Sequence, residues 1–335
     1  MASKVSLPLL SFYLVAWYAL NVQYNLYNKK ILNIFPYPYT TALIQLASGL
    51  LYVIPVWTLG IAGRKFPTGW KVGQMATLAA FHGGGHFATV MCLGAGSVAF
   101  ANVVKAGEPI CSVLMGVIML GAYPKLLEVG ALVPIIAGVM IASMAEPEFS
   151  NFAFATAMLS NFLFAARGVL GKKIMDGSVK ISGADTFAIN TLFAMVIMAP
   201  VTYYMEGATV QAGFNKLCTG TGDVDAMALL NGKLEETVAP APMYFIAYQI
   251  VTGLYYYLYN EMAFAVLDLL DPVGQAVGNT VKRVVVIIAG TIVFNKPLTT
   301  NGIIGSTVAI GGVLLYSLAK SAGSAPAAKA KGKKA

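Results

Sequence analysis

The stretch Gly274-Gln-Ala-Val-Gly-Asn-Thr-Val-Lys-Arg-Val-Val-Val-Ile-Ile-Ala-Gly-Thr-Ile-Val-Phe294 is long and apolar enough to cross a bilayer, yet it carries Lys282 and Arg283 side by side near its middle. A hydrocarbon core of about 30 Å needs roughly 20 apolar residues in a helix. Full charges at that depth cost about 2.5 to 3.5 kcal/mol each on insertion scales, so they persist only where they face a partner, a cavity or a ligand. A third cation, Lys105, lies in a second apolar stretch, Val98 to Leu120. Three positive charges at membrane depth predict a site for a multiply charged anion.

The rest of the chain has the same character. Its 335 residues are 58% hydrophobic and only 11% charged, with a mean hydropathy of +0.72. Soluble domains carry about 25% charged residues. This is a polytopic membrane protein, and the absence of alternating segments of about ten residues excludes a β-barrel. The 34 glycines suit closely packed membrane helices. The net charge of +8 does not point to nucleic acid, because the cations lie in loops, in the tail and inside the membrane. Cys92, Cys111 and Cys218 have no CxxC spacing, so neither a disulfide framework nor a metal site follows. The first apolar run, from about Leu7, is too long for a signal-peptide core, so either it directs insertion itself or the chain is a mature form.

Ten spans are expected, at 7–27, 39–61, 69–93, 97–121, 126–146, 151–171, 184–205, 242–265, 272–294 and 298–319. The long connection 206–241 is polar and mixed in charge, and reads as an extramembrane loop with room for a short surface helix. The Ala/Lys-rich segment 322–335 reads as a disordered basic tail. Loop lysines and arginines number thirteen on the side of the N-terminus and five on the other, which places both termini on the cytosol-like side. Internal similarity divides the chain. Asn28-Lys-Lys-Ile31 ends span one and Gly171-Lys-Lys-Ile174 ends span six, while Pro134–Ser143 in span five resembles Val308–Ser317 in span ten. Each pairing relates span n to span n+5. Two copies of an odd number of spans must point in opposite directions. The expected fold is therefore all-α, with ten transmembrane helices as two inverted-topology repeats of five: residues 1–146, and 147–321 including the 206–241 loop. Transporters with such repeats bind substrate at the midplane, and Lys105 and Lys282 are approximate symmetry mates there.

Lys105, Lys282 and Arg283 form the candidate anion clamp, Arg supplying a bidentate fork and Lys a movable point charge. The competing account pairs them with the intramembrane acids Glu108 and Glu261, Glu108 being one turn from Lys105. Two acids cannot neutralise three cations, and Arg167 adds a fourth where it lines the cavity rather than snorkelling to the interface. His82-Gly-Gly-Gly-His86 places two imidazoles at i and i+4, but no further ligand completes a metal set. The three glycines are expected to loosen the helix in mid-membrane, lining a cavity. His86 and Thr89, one turn apart, either donate to substrate or pack as a polar pair. Tyr259, in the run Tyr255-Tyr-Tyr-Leu-Tyr259, either reaches the site or anchors at the interface. Gly94-Ala-Gly-Ser-Val-Ala99 lacks the strand context of a dinucleotide site.

At these residues the chain resembles the plastidic phosphate translocators, a branch of the drug/metabolite transporter superfamily. Leu26-Tyr-Asn-Lys-Lys30, Phe35-Pro-Tyr-Pro38, His86 with Thr89, Val104-Lys-Ala-Gly-Glu-Pro109, Tyr257-Leu-Tyr-Asn260 and Val277-Gly-Asn-Thr-Val-Lys-Arg283 carry the resemblance, in order across nearly the whole chain. It implies a ten-helix antiporter of a plastid envelope, exchanging inorganic phosphate for phosphorylated C3, C5 or C6 compounds. It assigns Lys105, Lys282 and Arg283 to the phosphate and His86, Thr89 and Tyr259 to the organic moiety, with Arg167 and Glu108 as cavity-lining residues. Gly107 replaces the bulky residue usual in the triose-phosphate branch and looks nearer the glucose 6-phosphate branch. His86 stands where the phosphoenolpyruvate branch usually has Asn, and Glu261 where Gln is usual. Triose phosphate and 3-phosphoglycerate are the favoured substrates, a hexose or pentose phosphate the alternative. The expected surroundings are lipid, as a monomer or weak dimer, with no nucleic acid, cofactor or metal. The rival classes are a membrane enzyme acting on a phosphorylated lipid, an anion channel and a nucleotide-sugar exchanger.

Overall fold

A computed structural model describes residues 7–147, 149–175, 181–219, 242–270 and 272–324. The described residues are helical and contain no strand. The helices are α1 (Leu7–Ile34), α2 (Pro38–Thr58), α3 (Val72–Ala95), α4 (Val98–Lys105), α5 (Glu108–Leu120), α6 (Leu126–Met144), α7 (Asn151–Met175), α8 (Gly183–Thr219), α9 (Pro242–Leu269), α10 (Pro272–Val293) and α11 (Thr300–Ser324), with a 3-10 turn at Ile61–Gly63. Proline opens α2, α9 and α10, where its missing N–H has no intrahelical role. Other starts are capped by side chains. Ser97 Oγ accepts from the Phe100 N–H at 3.0 Å, and Ser182 Oγ from the Asp185 N–H at 3.0 Å. Among the described residues, six segments are long and apolar enough to cross a membrane: 38–58, 98–120, 126–144, 151–171, 183–217 and 300–322.

Two expectations are corrected here. The region 206–241 does not begin as a loop, because α8 continues without interruption to Thr219. Glu206 lies inside that helix and is buried, its carboxylate accepting from the Tyr39 N–H at 3.0 Å and the Thr40 N–H at 2.7 Å. It thus satisfies free donors at the start of α2, which is why this polar residue belongs to the packed bundle. Residues 220–241 lie outside the described residues, as do 325–335 of the expected tail.

The second correction concerns where the membrane helices break. The glycine run 83–85 does not loosen α3, which is continuous from Val72 to Ala95. Those glycines serve close approach instead. A Cβ at Gly83 would meet Met198 and Ala194, one at Gly84 would meet Leu163, and one at Gly85 would meet Phe164. The break falls in the fourth expected span, between Lys105 and Glu108. Pro109 cannot offer an N–H to the Lys105 carbonyl, which an unbroken helix requires. The junction closes with tighter bonds, Ala106 N–H to Val103 O and Gly107 N–H to Val104 O, both at 2.9 Å.

Packing is patterned. α3 lies against α7 and α8, while α9 lies against α1 and α2. α6 and α11 pair tightly. At their contact a Cβ on Gly138 would meet the Ala309 backbone, and one on Gly312 would meet Ile135. These contacts are reciprocal, because Gly138 aligns with Gly312 and Ile135 with Ala309 in the similar stretches Pro134–Ser143 and Val308–Ser317. Gly305 meets the Ala142 backbone the same way. Gly138→Leu is expected to lower stability by about 3 kcal/mol or more, since overpacking here meets backbone rather than a movable side chain. Thermal melting in detergent checks this, and an unshifted midpoint would show that the pair can part freely.

Polarity is turned inward. Leu126, Leu127, Val133, Met140 and Met144 of α6 face outward, while Gln45, His82, His86, Asn161 and Asn190 are buried. At one end of the bundle Arg64 binds Asp185 at 2.8 Å and Glu261 at 2.6 Å, joining the chain after α2 to α8 and α9. Burial would lower the Arg64 pKa, but its hydrogen bond to Asp185 and the charge of Glu261 raise it above its ordinary value.

Candidate functional site

Between α1, α3, α4, the start of α5, α7, α9 and α10 lies a cavity of about 300 Å³. Lys105, Lys282, Arg283, His86, Thr89, Tyr259, Arg167 and Glu108 all line it. The tertiary structure thus gathers residues separated by up to roughly 200 positions in the chain into one chamber. Glu108 is the only carboxylate among its described lining residues, facing Lys105, Arg167, Lys282 and Arg283.

The broken helix makes Lys105 special. It ends α4, and Glu108 opens α5. A cation at a helix C-terminus and an anion at an N-terminus are both favoured by the backbone dipoles. Asn161 of α7 donates to the Val104 carbonyl at 2.9 Å and holds the end of α4. Lys105 Nζ donates to Thr89 Oγ1 at 2.9 Å. That hydroxyl donates in turn to the Gly85 carbonyl at 2.9 Å and lies 2.7 Å from Ser160 Oγ. In this arrangement Thr89 aims the Lys105 ammonium.

The acids do not pair as sequence spacing suggested. Glu108 meets Arg283, Nη2 to Oε2 at 3.2 Å, rather than Lys105. Glu261 belongs to the Arg64 cluster and takes no part in the cavity. The residual positive charge is further held by aromatic faces. Lys282 Nζ lies 4.9 Å from the Trp17 ring centre, and Lys105 Nζ and the Arg167 guanidinium lie 5.5 and 5.4 Å from that of Phe164.

Arg167 lines the cavity, with Nη1 2.8 Å from His82 Nδ1. A guanidinium only donates, so His82 Nδ1 accepts and its proton resides on Nε2, 3.2 Å from the Tyr256 hydroxyl. Tyr256 also lies against His86, with ring centres 4.0 Å apart. His86 Nε2 is buried and has no hydrogen-bond partner among the described residues. Among the described residues no group of His, Cys, Asp or Glu is placed to hold a metal ion.

Sequence reasoning missed Asn161, Ser160, His82, Tyr256 and Trp17 in these roles, and Asn25 and Asn102 as lining residues. Helical spacing signalled some of them: Trp17, Asn21, Tyr24 and Asn25 form one stripe of α1 on the cavity, and Asn102 lies one turn before Lys105. The partners of Asn161 and His82 depend on contacts between helices and left no local signal.

A model of the Triose-phosphate Transporter family matches residues 9–317. A phosphoenolpyruvate/phosphate translocator 3, chloroplastic, of Oryza sativa subsp. japonica is 35% identical over 92% of this chain and 73% of its own length. A glucose-6-phosphate/phosphate translocator 2, chloroplastic, of Arabidopsis thaliana is 32% identical over 92% and 74%. A triose phosphate/phosphate translocator, non-green plastid, chloroplastic, of Brassica oleracea var. botrytis is 32% identical over 91% and 71%. A solved crystal structure with 14% identity has a TM-score of 0.51, covering 93% of this chain and 98% of that one, a likeness of fold alone.

Proposed function

The chain belongs to the Triose-phosphate Transporter family, and from that premise we propose that it exchanges inorganic phosphate for a phosphorylated metabolite across a plastid membrane. It is a transporter and not an enzyme. The observation that carries the proposal is one cavity presenting four cations to a single carboxylate among its described lining residues. Such a chamber is electrostatically incomplete until a phosphate dianion enters it. In this reading Lys105, Lys282 and Arg283 hold the phosphoryl group. His86 and Tyr259 face the organic part, and Arg167, poised by His82, supplies a further donor. Thr89 acts through Lys105.

The relatives carry phosphoenolpyruvate, glucose 6-phosphate or triose phosphate in their names. For this chain triose phosphate and 3-phosphoglycerate are the proposed substrates, with hexose or pentose phosphate as the second choice. The unpartnered His86 Nε2 supports a substrate with a hydroxyl to give. Two inverted five-helix repeats, 1–146 and 147–321, are the proposed architecture, with both termini on the cytosol-like side. The reciprocal contacts of Gly138 with Ala309 and Gly312 with Ile135 support a pseudo-twofold axis between α6 and α11. So does the exchange of α3 on α7 and α8 for α9 on α1 and α2. Transport would proceed as the halves rock about the central site.

The test is counter-exchange. Liposomes holding the purified protein and internal phosphate are offered labelled phosphate, triose phosphate, 3-phosphoglycerate, glucose 6-phosphate, phosphoenolpyruvate and a nucleotide sugar. Triose phosphate and 3-phosphoglycerate are expected to drive exchange best and the nucleotide sugar not at all. Exchange driven by the nucleotide sugar alone would overturn the assignment, and hydrolysis of any compound would restore the enzyme class.

A further inference from the structure

The cavity contains amides as well as cations. Asn25 of α1, Asn102 of α4 and Asn260 of α9 all line it. Each turns its amide nitrogen back onto its own helix: Asn25 Nδ2 to the Asn21 carbonyl at 2.8 Å, Asn102 Nδ2 to the Val98 carbonyl at 2.9 Å, and Asn260 Nδ2 to the Tyr256 carbonyl at 2.8 Å. A carbonyl can be met only by the NH2 end of an amide, so these bonds fix which end is which. Each amide keeps its carbonyl oxygen, an acceptor, for other partners; the second N–H of Asn25 points toward Asn21 Oδ1 at 3.5 Å, and that of Asn102 is kept as well.

An acceptor has no favourable partner in the dianionic phosphoryl group of an ester, whose oxygens also only accept. The cations serve that group. The amide oxygens require donors, and a phosphorylated metabolite supplies them only as hydroxyls on its carbon skeleton. Asn260 already hydrogen-bonds the side chain of its neighbour Tyr259. No described donor serves Asn25 or Asn102. Asn102 stands one helical turn from Lys105, so hydroxyl-reading and phosphate-holding positions share one face of α4. Asn25 approaches from α1, whose Trp17 covers Lys282.

We propose that Asn25 and Asn102 read substrate hydroxyls, making the cavity selective for hydroxylated phosphates over phosphate esters without a hydroxyl. This rests on the transport reading above and adds two specificity residues to it. Removing one neutral hydrogen bond and leaving its acceptor buried corresponds to about a tenfold change in affinity.

The experiment uses the full chain in phosphate-loaded liposomes and two substrate pairs differing by one hydroxyl. These are 3-phosphoglycerate with 3-phosphooxypropanoate, and glucose 6-phosphate with 2-deoxyglucose 6-phosphate. For at least one pair the wild type is expected to favour the hydroxylated member about tenfold in kcat/KM. In Asn25→Leu or Asn102→Leu that ratio is expected to fall toward one. A variant that exchanges no phosphate is replaced by the smaller serine substitution at the same position, which is expected to lower the ratio too. A wild-type ratio near one for both pairs overturns the proposal, and so does a tenfold ratio that both variants retain. A wild type that exchanges no phosphate in any pairing instead overturns the transport function on which it rests.

Discussion

Arg283→Lys is expected to lower phosphate exchange about 100-fold, although the side chain keeps its charge and much of its length. The reason is the division of labour at the guanidinium. One nitrogen of Arg283 is held by Glu108 at 3.2 Å, which leaves the rest of a rigid planar fork directed by that contact. Phosphate can then be met by parallel charge-assisted hydrogen bonds. An ammonium is a single point, so a lysine that binds phosphate loses Glu108 and one that binds Glu108 loses phosphate. Losing two charge-assisted hydrogen bonds in a water-poor cavity amounts to about 3 kcal/mol, hence the expected factor. Initial rates of labelled phosphate uptake into phosphate-loaded liposomes measure it. Wild-type rates in the variant would remove Arg283 from the clamp and assign it to Glu108 alone, as an ion pair that supports the break between α4 and α5.

The second large effect concerns the empty carrier. Liposomes without internal phosphate are expected to take up labelled phosphate at about one hundredth, or less, of the rate of loaded ones. Lys105, Arg167, Lys282 and Arg283 share their cavity with one carboxylate. In the open states water screens that excess. Passing through a closed state strips much of the water away, and unneutralised charges at low dielectric repel by several kcal/mol. Each 1.4 kcal/mol of added barrier slows the crossing about tenfold. A bound dianion removes most of the excess and lets the gates close. Equal uptake with and without internal phosphate would sink strict exchange and favour a channel or uniporter.

Much of this was legible before any tertiary contact was known. Helices occupy every segment read as apolar, because mean hydropathy over a span is a property of that span alone. The eight candidate residues meet in one cavity for a similar reason: charge, imidazole and phenol at membrane depth must face inward wherever the partner helices lie. The break in the fourth span was also available, in Pro109 and the missing donor for the Lys105 carbonyl. The glycines of α3 drew attention away from it. Glycine permits both flexibility and close approach, and only the neighbours Phe164, Met198 and Leu163 decide between them. The helical extension to Thr219 was hidden because its polar composition resembles a loop, while its anchor, the Glu206 carboxylate on the start of α2, lies some 166 residues away in the chain.

The amino-acid sequence by itself determined that this protein is a bundle of membrane helices with excess positive charge at its centre. Such features follow from the solvent each residue prefers, and a bilayer imposes that preference span by span. Only the tertiary structure decided that Glu108 serves Arg283 while Glu261 serves Arg64. It also decided that Thr89 aims Lys105, that His82 poises Arg167, and that Asn25 and Asn102 each commit an amide N–H to the backbone of their own helix. Those are short, directional contacts, and direction is set by how the helices pack against one another.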